Sequence, residues 1–385
     1  MIDRPGLVAA CVSAFAGTCC ASAFAQDGGE TDGTPSGLLT DGARHDQEEG
    51  LRLDDPALRF NLLTLEWEND AISHTLFGPD IDRRYSNGLA IELSLTPSDG
   101  FYDAYLEPLD FFNEFDDPRS AVGGMVRHYI FTPEDIEITT PQPDDHPFTG
   151  LLSFAAFFQR AQGRTFDHLQ LDVGYIGQNS GAQAVQEFVH SVLPDQGDPS
   201  WVNQQASGLG VFATAQRRWK LRWQNDPEGN LGLLTGDELD AMPISNGPGF
   251  EIIPYAGFRA GNVYTDANAG AIFRWGWPLP NDFGQSRIFD FTDHTRQAND
   301  GFGFSLYASA GARAVARNAF IEGNILGGNR RLDTKELVGE FQAGVQFEYH
   351  GCLFGYSQSI ITEEYDGQQG VTRFGTFSFT FNLAH

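Results

Sequence analysis

The strongest constraint on this chain is a rhythm. From Arg59 onward, segments of roughly ten residues alternate apolar and polar side chains one by one. Phe341, Ala343, Val345, Phe347 and Tyr349 alternate with Glu340, Gln342, Gly344, Gln346 and Glu348. Leu169, Leu171, Val173 and Tyr175 alternate with His168, Gln170 and Asp172, and Trp219, Leu221 and Trp223 with Arg218, Lys220 and Arg222. Residues 302–309 and 376–383 behave alike. Successive side chains of a strand point to opposite faces, so each segment has one apolar and one polar face. A soluble sandwich would alternate too. The number of segments and the aromatic load on the apolar face favour a closed antiparallel transmembrane barrel, with lipid outside and a polar lumen. No window after the N-terminal segment holds the ~20 consecutive apolar residues of a spanning helix.

The N-terminus agrees with export. One basic residue, Arg4, precedes a largely apolar run that ends in Ala23-Phe24-Ala25, with alanine at the −3 and −1 positions of a cut after Ala25. Residues 1–25 are therefore expected to be a secretory signal, 26–57 a disordered acidic lead-in, and 58–385 the barrel. Cys11, Cys19 and Cys20 would leave with the signal, and Cys352 alone forms no internal disulfide. The formal charge of −28 excludes nucleic-acid binding by counterion release.

About twelve strands are expected, an even number as in bacterial single-chain barrels, starting near Arg59, Ser86, Gly123, Phe148, Phe166, Ser207, Phe250, Tyr264, Gly301, Val338, Cys352 and Val371. The long connections, 97–120, 133–147, 224–249 and 275–300, are acidic or rich in Gly and Pro, and are expected mostly on the outward-facing end. Residues 180–193 form instead a short helix in an extracellular loop. Ala184, Val185, Phe188, Val189, Val192 and Leu193 make an apolar stripe, and Gln183, Gln186, Glu187 and His190 fall on the other side. The chain ends Phe381-Asn382-Leu383-Ala384-His385, without the terminal aromatic residue usual in such barrels.

Alternation also places candidate chemistry. Leu63, Leu65 and Trp67 would face lipid, and Glu66, Glu68 and Asp70 the lumen; on the next strand Leu89, Ile91 and Leu93 would face lipid, and Ser86, Gly88 and Glu92 the lumen. Glu68, Asp70 and Ser86 would meet inside, a carboxylate pair with a hydroxyl that suits a hard cation such as Ca²⁺. A solvated polar lumen would look the same. His190 is the histidine that helical spacing sets among several polar side chains. Histidine titrates near neutrality, which suits a general base, although an exposed loop histidine is the plainer reading. The other histidines lack metal-ligand spacing, and no Gly-x-Ser-x-Gly elbow, HExxH helix or phosphate loop is present.

Several segments, in order, resemble the lipid A 3′-O-deacylase family. They are Glu68-Asn69-Asp70, then Asp82-Arg83-Arg84-Tyr85-Ser86-Asn87-Gly88, the run from Tyr129 to Ile136, His146-Pro147-Phe148-Thr149-Gly150, and Tyr175-Ile176-Gly177 with Gly181-Ala182-Gln183-Ala184-Val185-Gln186 and His190. The resemblance implies a twelve-stranded outer-membrane barrel that removes the 3′-linked acyloxyacyl chain from lipid A with Ca²⁺. His190 would activate water, Asn69 and Asp70 would serve the metal and oxyanion region, and Ser86 would be the hydroxyl of the second strand. Gln183, Gln186 or Glu187 would orient the base, and Glu68 and Asp195 would complete the metal shell. Asn69 has the opposite parity to Asp70, so the strand must already have ended or bulged there. Three positions depart from the pattern: Glu137 and Ile138 stand where some members carry a lysine, His146 replaces the usual Arg before Pro, and the acidic residue beyond His190 is Asp195 or a neighbour. The expected partners are lipopolysaccharide and outer-membrane lipids, with the protein a monomer. The competing readings are a phospholipase-like esterase on the same barrel and a non-catalytic porin or structural barrel.

Overall fold

A computed structural model describes residues 56–70, 72, 84–109, 115–140, 142–192, 198–225, 229–241, 247–284, 290–297, 301–324 and 332–383. The expected signal, almost all of the lead-in, Asp195 and the two C-terminal residues lie outside them.

The strands are β1 (Leu58–Asn69), β2 (Tyr85–Pro97), β3 (Arg119–Phe131), β4 (Thr149–Gln162), β5 (Thr165–Ile176), β6 (Gly208–Trp219), β7 (Leu221–Asn225), β8 (Leu231–Leu233), β9 (Gly249–Gly261), β10 (Tyr264–Trp277), β11 (Phe302–Asn318), β12 (Leu337–Tyr349), β13 (Cys352–Ile361) and β14 (Thr372–Asn382). β6 and β7 flank Lys220 and both pair with β9, so they are one stave in two pieces, and the short β8 hangs on β7. Counting them so, the fourteen strands make twelve staves. Each is antiparallel to its neighbours, and β14 pairs with β1 from Leu62↔Asn382 to Asn69↔Gly375, which closes the ring. Every stave begins within one residue of the expected place except β3, which starts four residues earlier than Gly123.

The faces follow the alternation. Thr64, Glu66, Glu68, Glu92, Gln170 and Asp172 are buried inside, while Trp67, Leu89, Ile91, Leu93, Leu171 and Val173 are exposed on the outer wall. Burying polar groups inward and baring apolar ones suits a wall whose outer solvent is hydrocarbon. Exposed aromatic residues gather where the sheet's termini lie: Trp219, Phe250, Trp275, Trp277, Phe302 and Tyr349. We call this end the terminal end and the opposite one the far end.

One expectation fails. Of the four long connections, only 133–147 lies at the far end; the other three share the terminal end with Leu58 and Asn382. The described part of 278–297 folds up into the barrel, where Leu279, Phe283, Phe291 and His294 are buried. The reason is charge: inward-facing Arg127, Arg218, Lys220, Arg222 and Arg274 need partners. The segment supplies them. Asp282 meets Arg274 at 2.6 Å and Asp290 meets Arg218 at 2.8 Å. Asn281 accepts from Lys220 at 2.9 Å, and the Asp290 carbonyl accepts from Arg127 at 2.6 Å. Phe283 and Phe291 pack with inward Met125, Phe157 and Phe166. Above this plug the interior is closed by a cluster that includes Tyr85, Tyr129, Phe131, Phe212, Phe320 and Phe374. An interior so occupied argues against a porin.

Candidate active site

The far ends of β1 to β4 carry a row of side chains on the outer wall. Cross-strand pairing links Asn69 to Asn87, Asn87 to Ile130, and Ile130 to Gly150. All four share the parity of lipid-facing residues on their strands: Trp67, Leu89, Val126 and Phe154. Asn69 therefore stays in the strand, whose register with β2 is unbroken from Leu63 to Asn69, and points outward. Its side-chain N–H groups donate to the Ser86 carbonyl at 2.8 Å and the Asn87 amide oxygen at 3.4 Å. Trp67 Nε1 donates to the same Asn87 oxygen at 2.9 Å.

The bulge lies one strand over. Tyr85 pairs with Phe131 and Asn87 with Ile130, so Ser86 is the extra residue. It turns Tyr85 inward, where the phenol donates to Glu68 at 2.5 Å. The Ser86 hydroxyl hydrogen-bonds Thr132 Oγ1 at 2.7 Å, just past the end of β3. The expected meeting of Glu68, Asp70 and Ser86 in the lumen thus comes apart. Glu68 is inside as alternation requires, held by Tyr85 and Thr376, and a ligand role for it would need it on the other side of the wall. Asp70, the first residue past β1, is half-buried. It stands between outward-facing Asn69 and Ile72, whose side chain folds over Gly375 of β14; a Cβ at Gly375 would come within 2.4 Å of Ile72.

A helix lies across this wall. It runs Ala182–Val192, entirely inside the expected 180–193. A tight turn at Gln178–Ser180 precedes it, where Ser180 Oγ donates to the Gly177 carbonyl at 2.7 Å and accepts from Ala182 N at 3.3 Å. The Ser180 carbonyl lies 3.2 Å from His128 Nε2 on β3. Ala182 packs with Ile130, Ile136, Phe148 and Trp201, and the helix touches β3 and β4. Gly150 is what admits it: a Cβ there would sit 2.4 Å from Ala182 Cβ and 2.6 Å from Ser180 Oγ. The glycine that ends the His146–Gly150 motif is thus a docking position for the helix.

Gln186 is buried one turn before His190 and shares its face, together with Ala182; His190 itself is half-buried. Gln183 and Glu187 lie on the flank, joined by a 2.8 Å hydrogen bond. Nothing in the alternation pointed to Asn87 or Thr132, although both fall inside the motif segments. At the far end of the interior, His146 is buried against Phe131, with ring centroids 5.4 Å apart. Burial pushes its imidazole down to about 4.

The donor chemistry at the head of β1 fits a hard cation, with a carboxylate at Asp70 and an amide oxygen at Asn69, while the Asn87 oxygen is already taken by the N–H groups of Trp67 and Asn69. Among the described residues no group of three or more His, Cys, Asp or Glu is placed to hold a metal, so a cation here would rest partly on amide and backbone oxygens.

Comparison with known proteins agrees with this architecture. The solved LpxR from Salmonella typhimurium superposes with a TM-score of 0.64 at 18% identity, covering 83% of this chain and 99% of that one. The β-domain of the Bordetella autotransporter BrkA gives a TM-score of 0.37 at 10% identity, over 84% of this chain and 100% of that one. No curated protein sequence matches. A family model described as outer membrane protein LpxR matches residues 14–383, nearly the whole chain, and the protein therefore belongs to the LpxR family of integral outer-membrane β-barrels.

Proposed function

We propose that this protein is a hydrolase that cuts the ester of the 3′-linked acyloxyacyl chain of lipid A, in the crevice between the loop helix and the outer wall. The observation that carries the reading is the outer-wall row itself. Asn69, Asn87, Ile130 and Gly150 are successive cross-strand partners, and three strand spacings make about 14 Å. Ala182 sits over Gly150, and the helix touches both β4 and β3. Eight residues of helix carry His190 about 12 Å from Ala182, a reach matched to the width of the row. The reading sets His190 over the Ser86–Asn69 end.

In this reading His190 takes a proton from water as the water oxygen adds to the ester carbonyl. The tetrahedral intermediate collapses with loss of the sugar 3′-hydroxyl, and His190 returns the proton to that oxygen. The products are a free acyloxyacyl acid and the 3′-hydroxy lipid, with no acyl-enzyme. Gln186, one turn back, orients the imidazole, and the Gln183–Glu187 pair braces the flank. Ser86 holds Asn69 through its carbonyl, and Thr132 holds Ser86. Asp70 and Asn69 are the residues that would hold Ca²⁺, which would supply polarisation of the ester carbonyl and stabilisation of the oxyanion.

Mass spectrometry of lipid A from cells expressing the protein tests this. Loss of one acyloxyacyl unit is the expected result. Intact lipid A with altered phospholipids would transfer the crevice to a phospholipase-like esterase, and no change in either would end the hydrolase reading.

A further inference from the structure

The loop helix is amphipathic in the reverse sense for a helix meant to face water. The residues it turns to the protein are small or polar: Ala182 is fully buried and Gln186 is 6% exposed. Its large apolar residues are bare, with Phe188 69%, Val189 40% and Val185 38% exposed. Three such side chains on one short helix make a patch that water disfavours.

The position of the helix says what covers that patch. Gly150 and Ile130 face outward, so the helix rests on the lipid-facing wall rather than over the mouth of the lumen. Its depth follows from the strand register. Trp219, in the aromatic ring at the terminal end, pairs with Thr165, and Leu209 pairs with Tyr175 at the far end. The ten-residue rise between them is about 34 Å along the strand and about 25 Å along the membrane normal at the usual tilt, the height of a barrel's apolar band. Tyr175 and Leu209, both exposed, thus mark the band's far edge. The helix starts six residues beyond Ile176 and folds back onto the wall at that edge.

We infer that Val185, Phe188 and Val189 are seated among the acyl chains of the outer leaflet, continuing the lipid-facing belt, and that lipid reaches the crevice sideways from the bilayer. The helix is then an interfacial helix with two tasks. Its polar face roofs the crevice, and its apolar face keeps that roof at the depth where ester groups lie. The sideways entry rests on the hydrolase reading; the seating of the helix does not.

A nitroxide label placed by Phe188→Cys, Glu187→Cys or Phe154→Cys, with native cysteines replaced by serine, tests the seating in vesicles that contain lipopolysaccharide. Label 188 should collide with dissolved oxygen in preference to a water-soluble nickel chelate, as label 154 on β4 does, whereas label 187 should favour the chelate. A label at 188 as open to the chelate as that at 187 would overturn the seating. Phe188→Asp tests the entry. It should cut turnover of membrane-embedded lipid A tenfold or more while the barrel keeps its heat-modifiable migration, and unchanged turnover would overturn sideways entry. An inactive parent protein with a lipid-exposed label 188 would leave the seating intact and remove only the hydrolase reading.

Discussion

The interior and the outer crevice handle polar groups in opposite ways. Inside, cations are matched to carboxylates and carbonyls: Arg274 meets both Asp282 and Glu251, His294 Nε2 lies 2.7 Å from Glu92, Arg296 pairs with Glu348, and Arg127 lies 3.5 Å from Asp172. On the outer wall the proposed working groups are amides, hydroxyls and one helix-borne imidazole, with few formal charges. A group held on all sides is poorly placed to change its protonation or its partner during a reaction. The density of titratable residues therefore points away from the proposed chemistry here. The interior's ionic web holds the barrel, and the proposed chemistry falls to the sparse row outside.

The sharpest way to break this contrast is His190→Ala. It should lower lipid A deacylation by about 10²–10⁴-fold, the usual worth of a general base, without changing heat-modifiable migration. Retained activity would remove His190 from the mechanism. Arg274→Ala should do the reverse. It removes the buried Asp282 carboxylate's arginine partner and leaves Glu251 with Arg222 alone, a loss of about 3–5 kcal/mol, so the barrel should unfold at lower denaturant concentration while the folded fraction keeps normal turnover. A turnover loss equal to that of His190→Ala would merge the two regions functionally.

Gly150→Ala should push the helix off its seat and cost tenfold or more in turnover, since a displacement of about 1 Å can cost about 10²-fold. Urea resistance should fall less than for Arg274→Ala, since the new methyl group crowds the Tyr129 carbonyl at 2.8 Å but breaks no ion pair. Thr132→Val removes the partner of Ser86 and should cost about tenfold or less, a hydrogen bond being worth about 0.5–1.5 kcal/mol. The smallest effect is acid-dependent. His146 is buried neutral with its pKa held down to about 4 against 6.5, so the folded form resists protonation. Its contribution to the far-end loops should be fully present above pH 6.5 and lost as pH falls toward 4. Hydrogen exchange of residues 132–148 should rise over that window, and His146→Gln should flatten the rise.

The staves and their faces were legible because a strand has a period of two and a barrel has two unlike solvents. Trp67 outside and Glu66 inside follow from that alone. The side of the wall on which the site lies was not legible. One inserted residue at Ser86 reverses parity locally, and alternation cannot reveal a bulge that its own motif conceals. The plug was hidden for another reason. Residues 278–297 carry no period, and their destination is set by the arginines of other strands. The helix was visible in its spacing, but which face meets protein depends on what lies beneath, and Gly150 is 32 residues away from Ala182 in the chain.

The pairing of the first stave with the last has a consequence for assembly. Asn69 is aligned with Gly375, and Ile72 lies over that same glycine, so the floor of the crevice straddles the seam where the chain's two ends meet. A partly zipped barrel has β1 and β14 apart and no such floor. Catalytic competence would then be the final product of biogenesis, withheld until the sheet has sealed in the membrane that holds the substrate.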